Sequence, residues 1–234
     1  MRTAILVDGG FYRRRSQIKI GEKPAAERAS ELDNYCRRHL SERMGKGKPT
    51  RDHELYRIFY YDCPPMDKKM HHPFTKQQID FSKSDLNAWM IEFLNELKRH
   101  RKFALRLGKL ADTQACYNLR PSVTKKLCNG KIKWEDLTEN DFAIQVDQKG
   151  VDMKIGLDIA SMAYKKQVDQ IVLISGDSDF VSAAKLARRE GIDFVLDPLG
   201  APIKEDLFEH IDGLRTCDKR YINNNEHDRT TKNT

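Results

Sequence analysis

The 234-residue chain lacks long apolar runs: no stretch approaches the ~18 consecutive apolar residues that a membrane-spanning helix needs. The apolar run near the N-terminus, Thr3 to Val7, is too short for the core of a secretory signal, so the sequence reads as cytoplasmic with no membrane partner. Paired cysteines are missing as well. The five cysteines, Cys36, Cys63, Cys116, Cys128 and Cys217, are odd in number and never spaced as CxxC, which argues against a disulfide frame or a zinc knuckle and for reduced thiols. Hydrophobic residues reach only 39%, which excludes a generous core. No internal repeat and no linker rich in Gly, Pro or Ser divides the chain, so one large domain is expected over residues 1–214.

What the chain has in quantity is charge. Against 35 acidic residues stand 42 basic ones, a formal net charge of +7, and they cluster as Arg13-Arg14-Arg15, Arg37-Arg38 and Lys98-Arg99-His100-Arg101-Lys102. Such runs displace counterions from a phosphate backbone, so RNA or another polyanion is the expected partner. Each run taken alone also reads as a solvated helix face.

Strand and helix patterns alternate. Thr3 to Val7 reads as a buried strand closed by a turn at Asp8-Gly9-Gly10, followed by a basic loop. Ala25 to Met44 reads as a helix stopped by Gly45 to Pro49, Glu54 to Tyr61 as a strand, and Ser82 opens an amphipathic helix carrying Leu86, Trp89, Met90, Phe93, Leu94 and Leu97. Phe103 to Leu107 reads as the next strand. Residues from about 111 to 140 lose periodicity and read as an irregular insertion. Phe142 to Val146 then reads as a strand, Asp152 to Lys165 as a helix, Ile171 to Ile174 as the strongest strand, Phe180 to Arg189 as a helix and Ile192 to Leu196 as a last strand. Lys204 to His210 gives the final turns, and 215–234 a polar, partly disordered tail. This order implies an α/β fold, a three-layer α/β/α sandwich with a mainly parallel central sheet.

In an open parallel sheet, ligands bind outside the carboxyl ends of the strands. Asp8 ends the first strand, Asp177 and Asp179 follow the strand Ile171 to Ile174, and Asp152 opens the helix after Phe142 to Val146. Carboxylates that close together repel one another and stay ionised cheaply only around a cation. Oxygen donors without His or Cys point to Mg²⁺ or Mn²⁺, which polarise a phosphodiester and activate water. Asp158, a little under two turns past Asp152, is the reserve ligand. Each acid also has a simpler reading, as a turn residue or a helix cap. Lys149, Lys154 and Lys109, with Arg13 and Arg14, are candidate phosphate or RNA contacts. His71-His72-Pro73 has no matched acidic partners and reads as a loop.

Ile5-Leu6-Val7-Asp8-Gly9, Lys149-Gly150-Val151-Asp152 and Ile174-Ser175-Gly176-Asp177-Ser178-Asp179-Phe180 together resemble the NYN domain, in the LabA-like branch of the PIN-like nuclease superfamily. The resemblance covers roughly residues 3 to 12 and 142 to 200. It implies a PIN-like fold and a Mg²⁺- or Mn²⁺-dependent ribonuclease in which Asp8, Asp152, Asp177 and Asp179 bind metal and act in catalysis, with Ser175 and Ser178 orienting carboxylates or phosphate. One departure stands out. Many members read Asp-Gly-x-Asn after the first strand, whereas Phe11 takes the place of the asparagine here; Phe11 or Tyr12 then either stacks on a base or joins the core. Cys116 and Cys128 do not reproduce the paired-cysteine insertion of other members.

The leading expectation is an endoribonuclease. The alternative is a catalytically inactive PIN-like module that binds RNA or a protein, and assembly into a homo-oligomer is compatible with either. A haloacid-dehalogenase-like phosphatase would need an acid two residues after Asp8, where Gly10 stands.

Overall fold

The computed structural model describes residues 1–43 and 50–222. Six strands form the central sheet: β1 (Arg2–Asp8), β2 (Glu54–Asp62), β3 (Phe103–Leu107), β4 (Gln170–Ile174), β5 (Asp193–Asp197) and β6 (Gly213–Leu214). All pair in parallel, in the order β6-β5-β4-β1-β2-β3. Read from the other edge this is 3-2-1-4-5-6, the doubly wound order in which the winding reverses between β1 and β4.

Helices cover both faces, which is why the inner strands read as continuous apolar runs. In β1, Ala4 and Leu6 enter a core with α5 (Val151–Tyr164) and α6 (Val181–Arg189). Ile5 and Val7 point the other way, into a core with α1 (Gly9–Ile20), α2 (Ala25–Arg38) and α3 (Asp85–Arg99). The expected three-layer sandwich with a mainly parallel sheet is therefore what forms. Among the described residues no helix is long and apolar enough to cross a membrane.

Several local expectations are corrected. The basic segment after Asp8 is helix α1, because the Asp8 side chain caps it by accepting from Phe11 N–H at 3.1 Å. Gly9 begins this helix out of steric need: a Cβ there would lie 2.5 Å from the Tyr60 ring and 2.6 Å from Asp62 Oδ2. Helix α2 ends at Arg38, short of Met44, and Ser41–Arg43 pairs instead with Thr50–Asp52; the expected Gly45 to Pro49 stop lies outside the described residues. Leu86 is 65% exposed, so it does not join the buried face of α3.

Phe142–Gln145 is not a strand of the main sheet. It pairs antiparallel with Cys116–Leu119 inside the insertion, which is ordered and also carries helix α4 (Pro121–Cys128). These elements are too short to show a period. Lys109–Leu110 pairs with Gln148–Lys149 at the base of the lobe. His72, buried, packs against Tyr117 (4.7 Å between ring centroids) and Phe142 (5.5 Å), so it ties the loop after β2 to this lobe. The segment after Arg215 includes the helical turn Lys219–Ile222, held because Tyr221 is buried and its hydroxyl meets Ser16 Oγ at 2.7 Å, and the rest of the expected tail lies outside the described residues.

The end of β5 is held by a buried ion pair. Asp197 accepts from His39 Nε2 at 2.9 Å, from Thr216 Oγ1 at 2.8 Å and from the Tyr35 hydroxyl. Although burial alone would lower it, contact with Asp197 carries the His39 pKa up from 6.5 to about 9. A histidine whose folded pKa is raised contributes stability that is complete below pH 6.5 and is lost as pH climbs through 9. Thermal unfolding followed across pH 6 to 10 should therefore show Tm falling over that window. In His39→Gln the fall should be much shallower.

Candidate active site

Strand register assembles the site. Asp8 lies level with Tyr61 on β2, and Val7 level with Ile174 on β4, so Asp8, Asp62 and Ser175 meet at the carboxyl edge where the winding reverses. Ser175, fully buried, donates its hydroxyl to Asp8 Oδ2 at 3.1 Å and accepts from Asp177 N–H at 3.3 Å. Asp177 in turn caps the short helical turn Ser178–Phe180 through Asp179 N–H at 3.0 Å. The capping readings and the site reading thus hold together for Asp8 and Asp177, since capping occupies only part of each carboxylate.

Charge links the cluster. Burial raises the Asp8 pKa above its ordinary value, and the charges of Asp152 and Asp62 push the same way. Asp152 is also raised, by desolvation and then by Asp177 and Asp179. Asp152, Asp177 and Asp179 are exposed at the rim while Asp8 lies deeper. Among the described residues no ion pair joins any of the four, and no group of three His, Cys, Asp or Glu side chains is gathered closely enough to hold a metal ion as it stands. The donor chemistry suits a hard cation. The carboxylates would have to draw together around one.

Two residues at this edge escape the sequence pattern. Asp62 ends β2 as Asp8 ends β1, yet it is fully buried and clamped by the Arg13 fork at 2.9 and 3.0 Å, Tyr60 Oη at 2.8 Å and Cys63 N–H at 2.8 Å. Arg13, expected to contact phosphate, instead neutralises this carboxylate. Gln148, from the base of the insertion, donates to Asp62 Oδ1 at 3.3 Å, and its Oε1 lies 3.5 Å from where a Cβ on Gly10 would be, beside Asp8. An amide side chain therefore reaches this edge from a different part of the chain than the asparagine that Phe11 replaces.

The remaining expected residues divide. Asp158 is engaged by Arg106 at 2.9 Å and Tyr61 Oη at 2.8 Å, an ion pair bracing α5 against the sheet rather than a member of the cluster. Phe11 closes over Gly176, whose Cβ would sit 2.6 Å from the ring, and packs partly buried against the core. Asp152 follows the insertion instead of a main-sheet strand, but the first turn of α5 still brings it to the edge. Lys149 bonds Gln114 at 3.0 Å and Ser178 accepts from Lys204 at 3.0 Å. Lys109 and Arg14 are exposed, and Lys154 is half-buried.

The NYN domain model matches residues 79–202, just over half of the chain, a span that contains Asp152, Asp177 and Asp179. The chain belongs to the NYN-domain family. This NYN protein is therefore a member of the PIN-like nuclease superfamily, whose matched segment runs from the start of the α3 region to the end of β5, with Asp8 and Asp62 supplied from outside it. A solved protein of unknown function from Vibrio parahaemolyticus is similar at 14% identity over 94% of both chains, with a TM-score of 0.47. No curated protein matches this chain.

Breaking the Arg13 clamp leaves a buried charge without its partner. Arg13→Ala should cost roughly 3 kcal/mol in urea unfolding. In Arg13→Ala/Asp62→Asn, which removes both charges, a large part of that loss should return.

Proposed function

We propose that this NYN protein is a Mg²⁺- or Mn²⁺-dependent endoribonuclease. The observation that supports it most is that Asp8 and Asp152 at the switch point both have raised pKa values, each from burial first, with Asp152 acting on Asp8 and with Asp177 and Asp179 acting on Asp152. Asp8, Asp152, Asp177 and Asp179 would hold the cation; when bound, it supplies Lewis acidity and a more acidic water for attack on a phosphodiester. Ser175 orients the inner oxygen of Asp8, and Gln148 offers an amide beside it, in the role the missing asparagine leaves open. Lys109, Lys149 and Lys154, near the base of the insertion and the start of α5, would steady the RNA phosphates, together with Arg14 and with Ser178 between Asp177 and Asp179. The Ser175 to Phe180 segment favours the LabA-like branch. Five unpaired cysteines suit a reducing, cytoplasmic setting.

A second reading, an RNA- or protein-binding module without cleavage, is favoured by one observation: no set of three ligating side chains is preassembled among the described residues. Cleavage of a labelled RNA separates the two. The nuclease reading expects cleavage with Mg²⁺ or Mn²⁺ that stops in EDTA, and expects Asp177→Asn and Asp8→Asn to lose more than the ~10- to 100-fold typical of removing an outer-shell partner. Equal cleavage by wild type and both variants would contradict it. Tight RNA binding in EDTA without cleavage would establish the module instead.

A further inference from the structure

Beside the acidic edge, a cavity of about 300 Å³ opens between α1 and α3, lined by Arg13, Gln17, Glu22, Lys23, Leu86 and Trp89 among others. We infer that this cavity receives one unpaired guanine base of the RNA substrate, a step that rests on the ribonuclease reading above. Its size and lining suit a single planar ring rather than an extended chain. One face of Trp89 stacks on Phe93, 5.0 Å between centroids at 12°, and its indole N–H is spent on the Lys23 carbonyl at 2.9 Å. Trp89 therefore meets the cavity as apolar ring held rigid from behind, the kind of platform on which bases stack. Leu86, 65% exposed, forms an apolar rim that nothing in the fold covers.

The polar lining selects the base. The cations there are already committed, Arg13 to Asp62, Lys23 to Glu31 at 3.3 Å and Arg28 to Glu31 at 2.7 Å. What remains is a set of acceptors, the carboxylate of Asp85 and that of Glu22, one oxygen of which takes the Gln17 amide at 3.2 Å. A carboxylate accepts a pair of N–H groups side by side, which guanine presents through its ring N–H and exocyclic amine and uracil does not. Arg13 belongs both to this lining and to the Asp62 clamp, so the cavity adjoins the acidic edge through one side chain.

Fluorescence of the Trp134→Phe protein, which leaves Trp89 as the sole tryptophan, tests this with guanosine 5′-monophosphate, uridine 5′-monophosphate and ribose 5-phosphate as probes. Saturable quenching by the guanosine nucleotide is expected, with affinity roughly tenfold above the uridine nucleotide and little response to ribose 5-phosphate. Leu86→Glu should weaken the guanosine nucleotide at least about fivefold without lowering Tm, because Leu86 is largely exposed. Equal responses to all three probes, or an unchanged affinity in Leu86→Glu, would overturn the inference. Asp177→Asn should keep the quenching. Base binding without any RNA cleavage would then count against the nuclease reading alone, and cleavage without base binding against this inference alone.

Discussion

Burial of carboxylates beside one another is the constraint on which this edge of the molecule turns, with desolvation the larger part and like charge the smaller. Three other acids near the sheet ends are each met by a cation: Asp62 by Arg13, Asp158 by Arg106 and Asp197 by His39. Asp8 and Asp152 have no such partner, and their raised pKa values record the cost. Neutralisation of these three acids, beside one cluster left unneutralised at the switch point, is what the proposed cation site rests on.

The backbone imposes that cluster with few degrees of freedom. Parallel register fixes Asp8 beside Ser175, and each carboxylate that caps a turn is held by backbone N–H groups that do not depend on a ligand. The helix start at Gly9 is packed so closely on Tyr60 and Asp62 that the first turn of α1 cannot shift without disturbing both. The insertion adds Gln148 from a third direction, and the aromatic contacts of His72 with Tyr117 and Phe142 tie that lobe to the loop after β2. Rigid support and unpaired charge thus occur together.

The sheet was legible from sequence because strands buried on both faces must be apolar throughout, as in Ile171 to Ile174. Asp8 was legible because a carboxylate directly after such a strand stands out, and Asp177 because it comes three residues past the end of one. Asp62 carries the same signal directly after Tyr60-Tyr61, and the rule that picks out Asp8 picks it out too. Helix α1 was hidden by Gly9-Gly10, whose poor helix propensity is overridden by the Asp8 cap and the tight contact with Tyr60. Gln148 and the strands of the insertion lie in segments too short for periodicity, and the order of the C-terminal segment hangs on the buried side chain of Tyr221.

The central claim, that Asp8 and Asp152 belong to one cation-demanding centre, is tested most directly by following their side-chain carboxyl carbons by NMR through a pH titration with and without Mg²⁺. Without the ion, both should titrate above the ordinary aspartate range; with it, both should move down together, because a cation favours the ionised form. Ordinary values without Mg²⁺, or titrations that the ion leaves unchanged, would contradict the account.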